Sequence, residues 1–91
     1  MIDATLLWDD DTIEHIWERH HLSIEEVDEA FHDPEALIHR GKYHRQVVYG
    51  QTEGGRYLTI IVEPVSRKEA WLITAWDMTD SERKQYKRRF K

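Results

Sequence analysis

Residues Ile73–Tyr86 read ITAWDMTDSERKQY, a strand that runs straight into a capped, basic helix. Leu72 to Trp76 are strand formers. Thr79 stands three residues before Glu82, the spacing of a capping box, in which each side chain satisfies the other residue's free backbone N–H. Tyr86 follows four residues later, and then comes the run Lys87, Arg88, Arg89. The junction gathers an acid, permanent cations and two aromatic rings. That collection suits a polyanion better than a packed core.

Upstream of this junction the pattern alternates. Glu69–Trp76 reads as a strand, Pro64–Lys68 as a loop, and Arg45–Gln51 and Arg56–Glu63 as strands. The last two are joined by Thr52-Glu53-Gly54-Gly55, a glycine-bearing hairpin loop. Ala36–His39 has the length of one more short strand. Val47, Tyr49, Leu58, Ile60, Val62, Leu72 and Ile73 are the expected sheet core. Before residue 34 the periodicity is helical. Asp11 is placed to cap a first helix with Glu14 three residues on, and Ile13, Ile16, Trp17 and His20 fall on one face. Ser23 and Glu26 form a second capping box, Leu22 and Val27 a hydrophobic staple, and Ile24, Val27, Ala30 and Phe31 the buried stripe. Asp33-Pro34 ends that helix, because the residue before proline is pushed out of the α region. Ala4–Trp8 has the composition of a short strand. The predicted fold class is α+β, a single domain over residues 1–91. It has two N-terminal helices, an antiparallel β-meander of three to four strands, and a C-terminal helix over Thr79–Phe90.

Composition narrows the chemistry. The 91 residues contain no Cys, which excludes disulfides, thiol catalysis and Cys-based zinc sites. No apolar run approaches the roughly 18 residues needed to span a bilayer, and the N-terminus lacks the pattern of a signal peptide. A cytoplasmic protein that does not engage membranes is expected. The net charge of −5 hides a split. Residues 1–38 hold twelve Asp/Glu and one Arg, a charge of −11, whereas residues 39–91 hold six acids and twelve Lys/Arg, a charge of +6. The two halves either attract each other, or the basic half faces RNA or an acidic protein.

Taken in order, the motifs resemble the BrnT family of ribonuclease toxins from type II toxin–antitoxin modules. The likeness runs over nearly the whole chain. It opens at Trp8-Asp9, continues through Arg19-His20-His21-Leu22 before Ser23, and takes in Phe31-His32-Asp33-Pro34. Arg45 is followed five residues later by Gly50, then come Gly55-Arg56-Tyr57-Leu58, Ile73-Thr74-Ala75-Trp76 and Glu82-Arg83-Lys84-Gln85-Tyr86. The resemblance implies a RelE-like fold, an RNA substrate and a BrnA-like ribbon-helix-helix antitoxin that covers the site. It leaves room for a homodimer. The chain departs from the family at Thr12, where the family has Lys, at Ile16 for Asn, at His21 for Gly and at Trp76 for Arg. A second expectation follows from those departures, a BrnT-like module that binds protein and has lost ribonuclease activity.

Metal-free RNA cleavage needs a base for the 2′-hydroxyl proton, a cation for the crowded phosphate and an acid for the leaving oxygen. His20 is the candidate for proton transfer, since imidazole titrates near working pH and the end of a helix favours its charged form. It matches the family's His; the competing role is packing against Trp17. Arg45 and Arg56 begin two neighbouring strands, match family Arg positions and are the expected phosphate-binding pair, with Arg83 beside them. Each has the alternative of a salt bridge to the acidic helices. Trp76 and Tyr86 are candidate stacking platforms for an unpaired base, and Lys87 a further RNA contact. Glu82 is expected to spend its carboxylate on the capping box. No cofactor is called for. Six His invite a metal, but His15 and His20 are five apart, off the i, i+4 spacing of a helical zinc pair.

Overall fold

The computed structural model describes residues 2–88. The order is β1 (Thr5–Leu7), α1 (Asp10–His20), α2 (Ile24–Phe31), β2 (Leu37–Arg40), β3 (Gln46–Gln51), β4 (Tyr57–Ser66), β5 (Glu69–Asp77) and α3 (Asp80–Arg88). The predicted end of the last helix at Phe90, and Arg89 of the basic run, lie outside the described residues. The α+β class holds, with two corrections. The sheet has five strands rather than three to four, and it is mixed. β2 to β5 form the expected antiparallel meander, but β1 precedes both helices and pairs parallel with β5, Thr5 opposite Glu69 and Leu7 opposite Trp71. The strand order is β1-β5-β4-β3-β2.

Local chemistry sets the boundaries. The N-cap of α1 is Asp9, two residues earlier than expected, and its carboxylate accepts from the Thr12 N–H at 2.7 Å. His21 ends α1 in the left-handed region (φ 52) and donates its N–H to the Trp17 carbonyl, a cap glycine would make without strain. The capping box of α2 is complete: Ser23 Oγ accepts from the Glu26 N–H, and Glu26 accepts from the Ser23 N–H. β4 runs on through Pro64 to Ser66, beyond the predicted loop start. A register shift beside Val65 opens the ladder where the proline cannot donate.

Alternation along the strands divides the side chains between two faces. On one, Leu58, Ile60 and Val62 of β4, Val48 of β3 and Leu72 and Ala75 of β5 pack with Ile16, Leu22, Val27, Ala30 and Phe31. Leu22 and Val27, the expected staple, are both fully buried. On the other, Tyr49, Met78 and Tyr86 form a smaller cluster under α3, flanked by Leu37, Val47 and Tyr57. Ile73 is the extra residue of a bulge in β5, between the positions that face Ile61 and Val62, so Ala75 takes the core place expected of it. Trp17 does not join the buried face of α1; it stands 54% exposed against the edge of His21.

Gly50 fixes the closeness of α2 to the sheet. A Cβ built there would lie 1.9 Å from the Ala30 carbonyl oxygen, which is backbone and cannot rotate aside. Gly50→Ala is therefore expected to cost about 3 kcal/mol or more, read as a fall in the urea midpoint. A loss below about 0.5 kcal/mol would mean that α2 sits farther from β3 than described.

Candidate functional site

Arg45 and Arg56 do not form a pair. They stand immediately before the consecutive strands β3 and β4, but the strands are antiparallel, so their starts lie at opposite ends. Arg56 is joined to Thr52 through the Thr52 N–H, which donates to the Arg56 carbonyl at 2.8 Å. Arg45 is seven positions from Thr52, roughly 23 Å along an extended chain.

Arg56 is built into the fold. Its Nε donates to Asp77 Oδ1 at 2.7 Å and one Nη to Asp77 Oδ2 at 3.0 Å, a planar two-point grip on the carboxylate. The same Nη donates to the His20 carbonyl at 3.3 Å; the other reaches the His21 carbonyl at 3.1 Å and Glu26 Oε2 at 3.3 Å. A guanidinium has five N–H donors, and all five have acceptors here. The side chain holds the end of α1, the start of α2 and the end of β5, and has no donor left for a phosphate.

His20 is thus located by its own carbonyl. Its imidazole is partly exposed and close enough to Asp77 to help hold that carboxyl below its ordinary range, after the larger effect of the Arg56 hydrogen bond. His20, Arg56 and Asp77 form one cluster at the end of the sheet where α3 begins.

Arg83 and Lys87 form another, one helical turn apart on α3. Both lie over the ring of Tyr57, Arg83 Cζ at 5.4 Å and Lys87 Nζ at 5.0 Å from its centre. Arg83 has one carboxylate nearby, Asp80 at 3.8 Å, a surface contact of little energetic weight. A groove along this helix is lined by Asp80, Arg83, Lys84, Lys87 and Arg88. Tyr57 is the residue sequence reasoning missed. The signal was its place between Arg56 and Leu58: with Leu58 in the core, alternation turns Tyr57 to the opposite face.

Tyr86, the expected base platform, is 2% exposed. Its ring meets Tyr57 edge-on, and its hydroxyl donates to Asp33 Oδ2 at 2.5 Å. Burial and the neighbouring Asp33 push its phenol well above the ordinary value of 10.0. No face is open to a base, and the correction has a plain cause: the helix stripe containing Tyr86 is the one that seals the second core. Trp76 keeps a partly exposed ring, and its Nε1 donates to Glu82 Oε1 at 3.2 Å. Glu82 caps α3 as expected, accepting from the Thr79 N–H at 2.9 Å. The same oxygen also accepts from the Thr59 hydroxyl at 2.9 Å, and its charge helps raise the Tyr49 phenol, though burial does more.

The Arg56 network predicts a pH signature. Asp77 and Glu26 are both held below their ordinary values, Asp77 chiefly by the Arg56 hydrogen bond, Glu26 chiefly by the Ser23 N–H with Arg56 adding to it. A lowered native pKa stabilises the fold above the unfolded value, here 3.8 for Asp77, and that stability is lost as pH falls through the native value. Arg56→Gln should cost about 1–2 kcal/mol at neutral pH, discounted for partial exposure. Urea titration near pH 3, about one unit below the ordinary carboxylate range, should show a smaller gap. A gap unchanged between the two pH values would show that the ion pairs are not its source.

The architecture is one already seen in a ribonuclease toxin. The 1.1 Å crystal structure of the Brucella abortus ribonuclease toxin BrnT matches this chain with a TM-score of 0.71 and 19% sequence identity, over 85% of this chain and 99% of that one. No protein-family model matches the chain, and no curated protein does. The chain has a BrnT-like fold.

Proposed function

We propose that this protein is a metal-independent endoribonuclease toxin that cleaves single-stranded RNA and is neutralised by a cognate antitoxin. The observation that carries the reading is the pair of cations over Tyr57. Arg83 and Lys87 stand on an exposed helix face with no strong carboxylate partner, against a ring whose neighbourhood is otherwise structural. Cations beside an aromatic ring are the elements that hold a single strand, the charges on phosphate and the ring on a base. The BrnT-like fold supports the same reading, because its solved counterpart is a ribonuclease toxin.

In this reading Arg83 and Lys87 bind the scissile phosphate and stabilise its added charge. His20 takes or returns the proton of the 2′-hydroxyl. Arg56 is a positioning residue, since it holds the carbonyls of His20 and His21 and so fixes the turn that carries the imidazole. Tyr57 takes the stacking role expected of Tyr86, with Trp76 as a second ring on the same sheet face. Arg45 lies apart from this centre and contacts the strand elsewhere. RNA is the substrate and no cofactor is required. The proposed partner is a BrnA-like ribbon-helix-helix protein covering the basic, aromatic face. Residence in the cytoplasm and a homodimer belong to the same proposal.

A second reading has its own observation. The outer face of β4 and β5 carries Ile61, Trp71, Thr74 and Trp76, all partly exposed. Such a surface suits a protein partner, and a non-catalytic binding module would use it while leaving RNA intact.

Induced expression of the chain alone in a bacterium separates the two. Growth arrest with fragmented total RNA is expected. Replacing both Arg83 and Lys87 by Ala should abolish it while lowering the unfolding free energy by no more than about 2 kcal/mol, the loss of two exposed contacts with the Tyr57 ring. Normal growth with intact RNA, from a soluble and folded product, would favour the binding module.

A further inference from the structure

The turn between β2 and β3 carries groups that the fold leaves unused. It is closed by two backbone hydrogen bonds, Gly41 N–H to the Arg45 carbonyl at 2.7 Å and Arg45 N–H to the Lys42 carbonyl at 3.0 Å. Between them Tyr43 (φ 57) and His44 (φ 64) both sit in the left-handed region. Two successive non-glycine residues there are strained, and strain of this kind gathers at functional sites. The conformation holds the Tyr43 ring 81% exposed.

Arg45 is the counterpart of Arg56 in reverse. Its side chain makes no hydrogen bond or ion pair among the described residues, and its Nε is shielded from water with no partner. Continuing the β3–β4 register places Glu63 opposite it, yet the two form no ion pair. A shielded guanidinium N–H without an acceptor is costly, and the acceptor that suits it is an oxyanion. Arg45 lines a hollow with His39, Arg40 and His44. His39 also lines a second hollow with Gln85 and Arg88, and Arg88 in turn lines the α3 groove that holds Arg83 and Lys87. Shared residues thus join the three hollows into one track. No carboxylate lines the two beyond α3.

We infer that this track is a single binding path for one RNA strand, running from Tyr57 on the α3 side across the edge of β2 to the turn. At its far end Arg45 binds a backbone phosphate and Tyr43 stacks on an unpaired base. The inference rests on the RNA-directed reading above and extends it to a second subsite. Duplex RNA does not suit the path, because stacking on Tyr43 needs a base face that pairing and stacking within a duplex hide. The His39 and His44 rings give the path further hydrogen-bonding groups between its two ends.

The test is fluorescence anisotropy of a labelled, 2′-O-methylated single-stranded oligonucleotide of about a dozen residues, long enough to span several stacking sites and resistant to cleavage. It is titrated with the full chain over a range of salt. Tyr43→Ala should weaken binding at least about fivefold without changing the salt slope. Arg45→Gln should reduce the slope of log K against log salt by about 0.7, one phosphate contact on a single strand. Tyr43 is solvent-exposed, so its variant keeps the test valid even where Arg45→Gln lowers stability. Parent-like affinity in Tyr43→Ala and a parent-like slope in Arg45→Gln, with Lys87→Ala still weakened, would end the track at α3 and overturn this inference alone. Absence of binding by the parent chain would overturn the RNA-directed reading with it.

Discussion

The five hydrogen bonds of Arg56 are the constraint on which the arrangement depends. One side chain at the start of β4 ties the carbonyl end of α1, the capping Glu26 of α2 and Asp77 at the end of β5. The two helices are distant in sequence from the two strands, and this one side chain joins both sets. A guanidinium suits the task because its planar fork can grip a carboxylate with one edge and still serve carbonyls with the other. Helix α1 ends in unpaired carbonyls, as every helix does, and a cation there also answers its dipole. The network stays partly open to water, so its worth lies in fixed geometry more than in raw energy.

That geometry separates the two sides of the sheet. The side under α1 and α2 is apolar and closed, with Gly50 permitting backbone contact at Ala30. The side under α3 is closed around Tyr49, Met78 and Tyr86, with Thr59 buried beneath Glu82. The acidic half of the chain builds α1 and α2, and the basic half supplies α3 and the β2–β3 turn. The charge split therefore follows the layers of the fold. Among the described residues the ion pair that joins the two halves is Arg56 with Glu26, and Asp77 answers Arg56 from within the basic half; Arg45, Arg83 and Lys87 are not engaged by the acidic helices.

Much of this was legible in the residues. The capping pairs Ser23/Glu26 and Thr79/Glu82, the staple of Leu22 and Val27, and the end of α2 before Asp33-Pro34 all rest on contacts within a few residues, and all are present. What sequence could not supply was direction. The two strand-initial arginines look equivalent in a linear reading, and only the antiparallel sense sends them to opposite ends. Tyr86 and Tyr57 differ by which faces their elements turn to each other, a tertiary fact. The bulge at Ile73 shifts the alternation by one and hands a core position to Ala75. β1 escaped the meander because its partner lies at the far end of the chain. Within the site, the Lys87 and Arg83 face was visible as a charge run, but the rings it covers were not.

The pairing of β1 with β5 has a consequence for how the molecule comes into being. Thr5 and Glu69 are neighbours in the sheet, yet the whole of both N-terminal helices and three strands separate them along the chain. Parallel pairings of such span are slow to form, since closing a long loop precedes any gain from the contact. During synthesis the first strand has no partner until the ribosome has released the last one. The α3 cations emerge later still, after β5. A nascent chain therefore cannot assemble the sheet and the basic face before β5 and α3 have both emerged, so a product cut short ahead of them lacks the surface with which it would engage a polyanion.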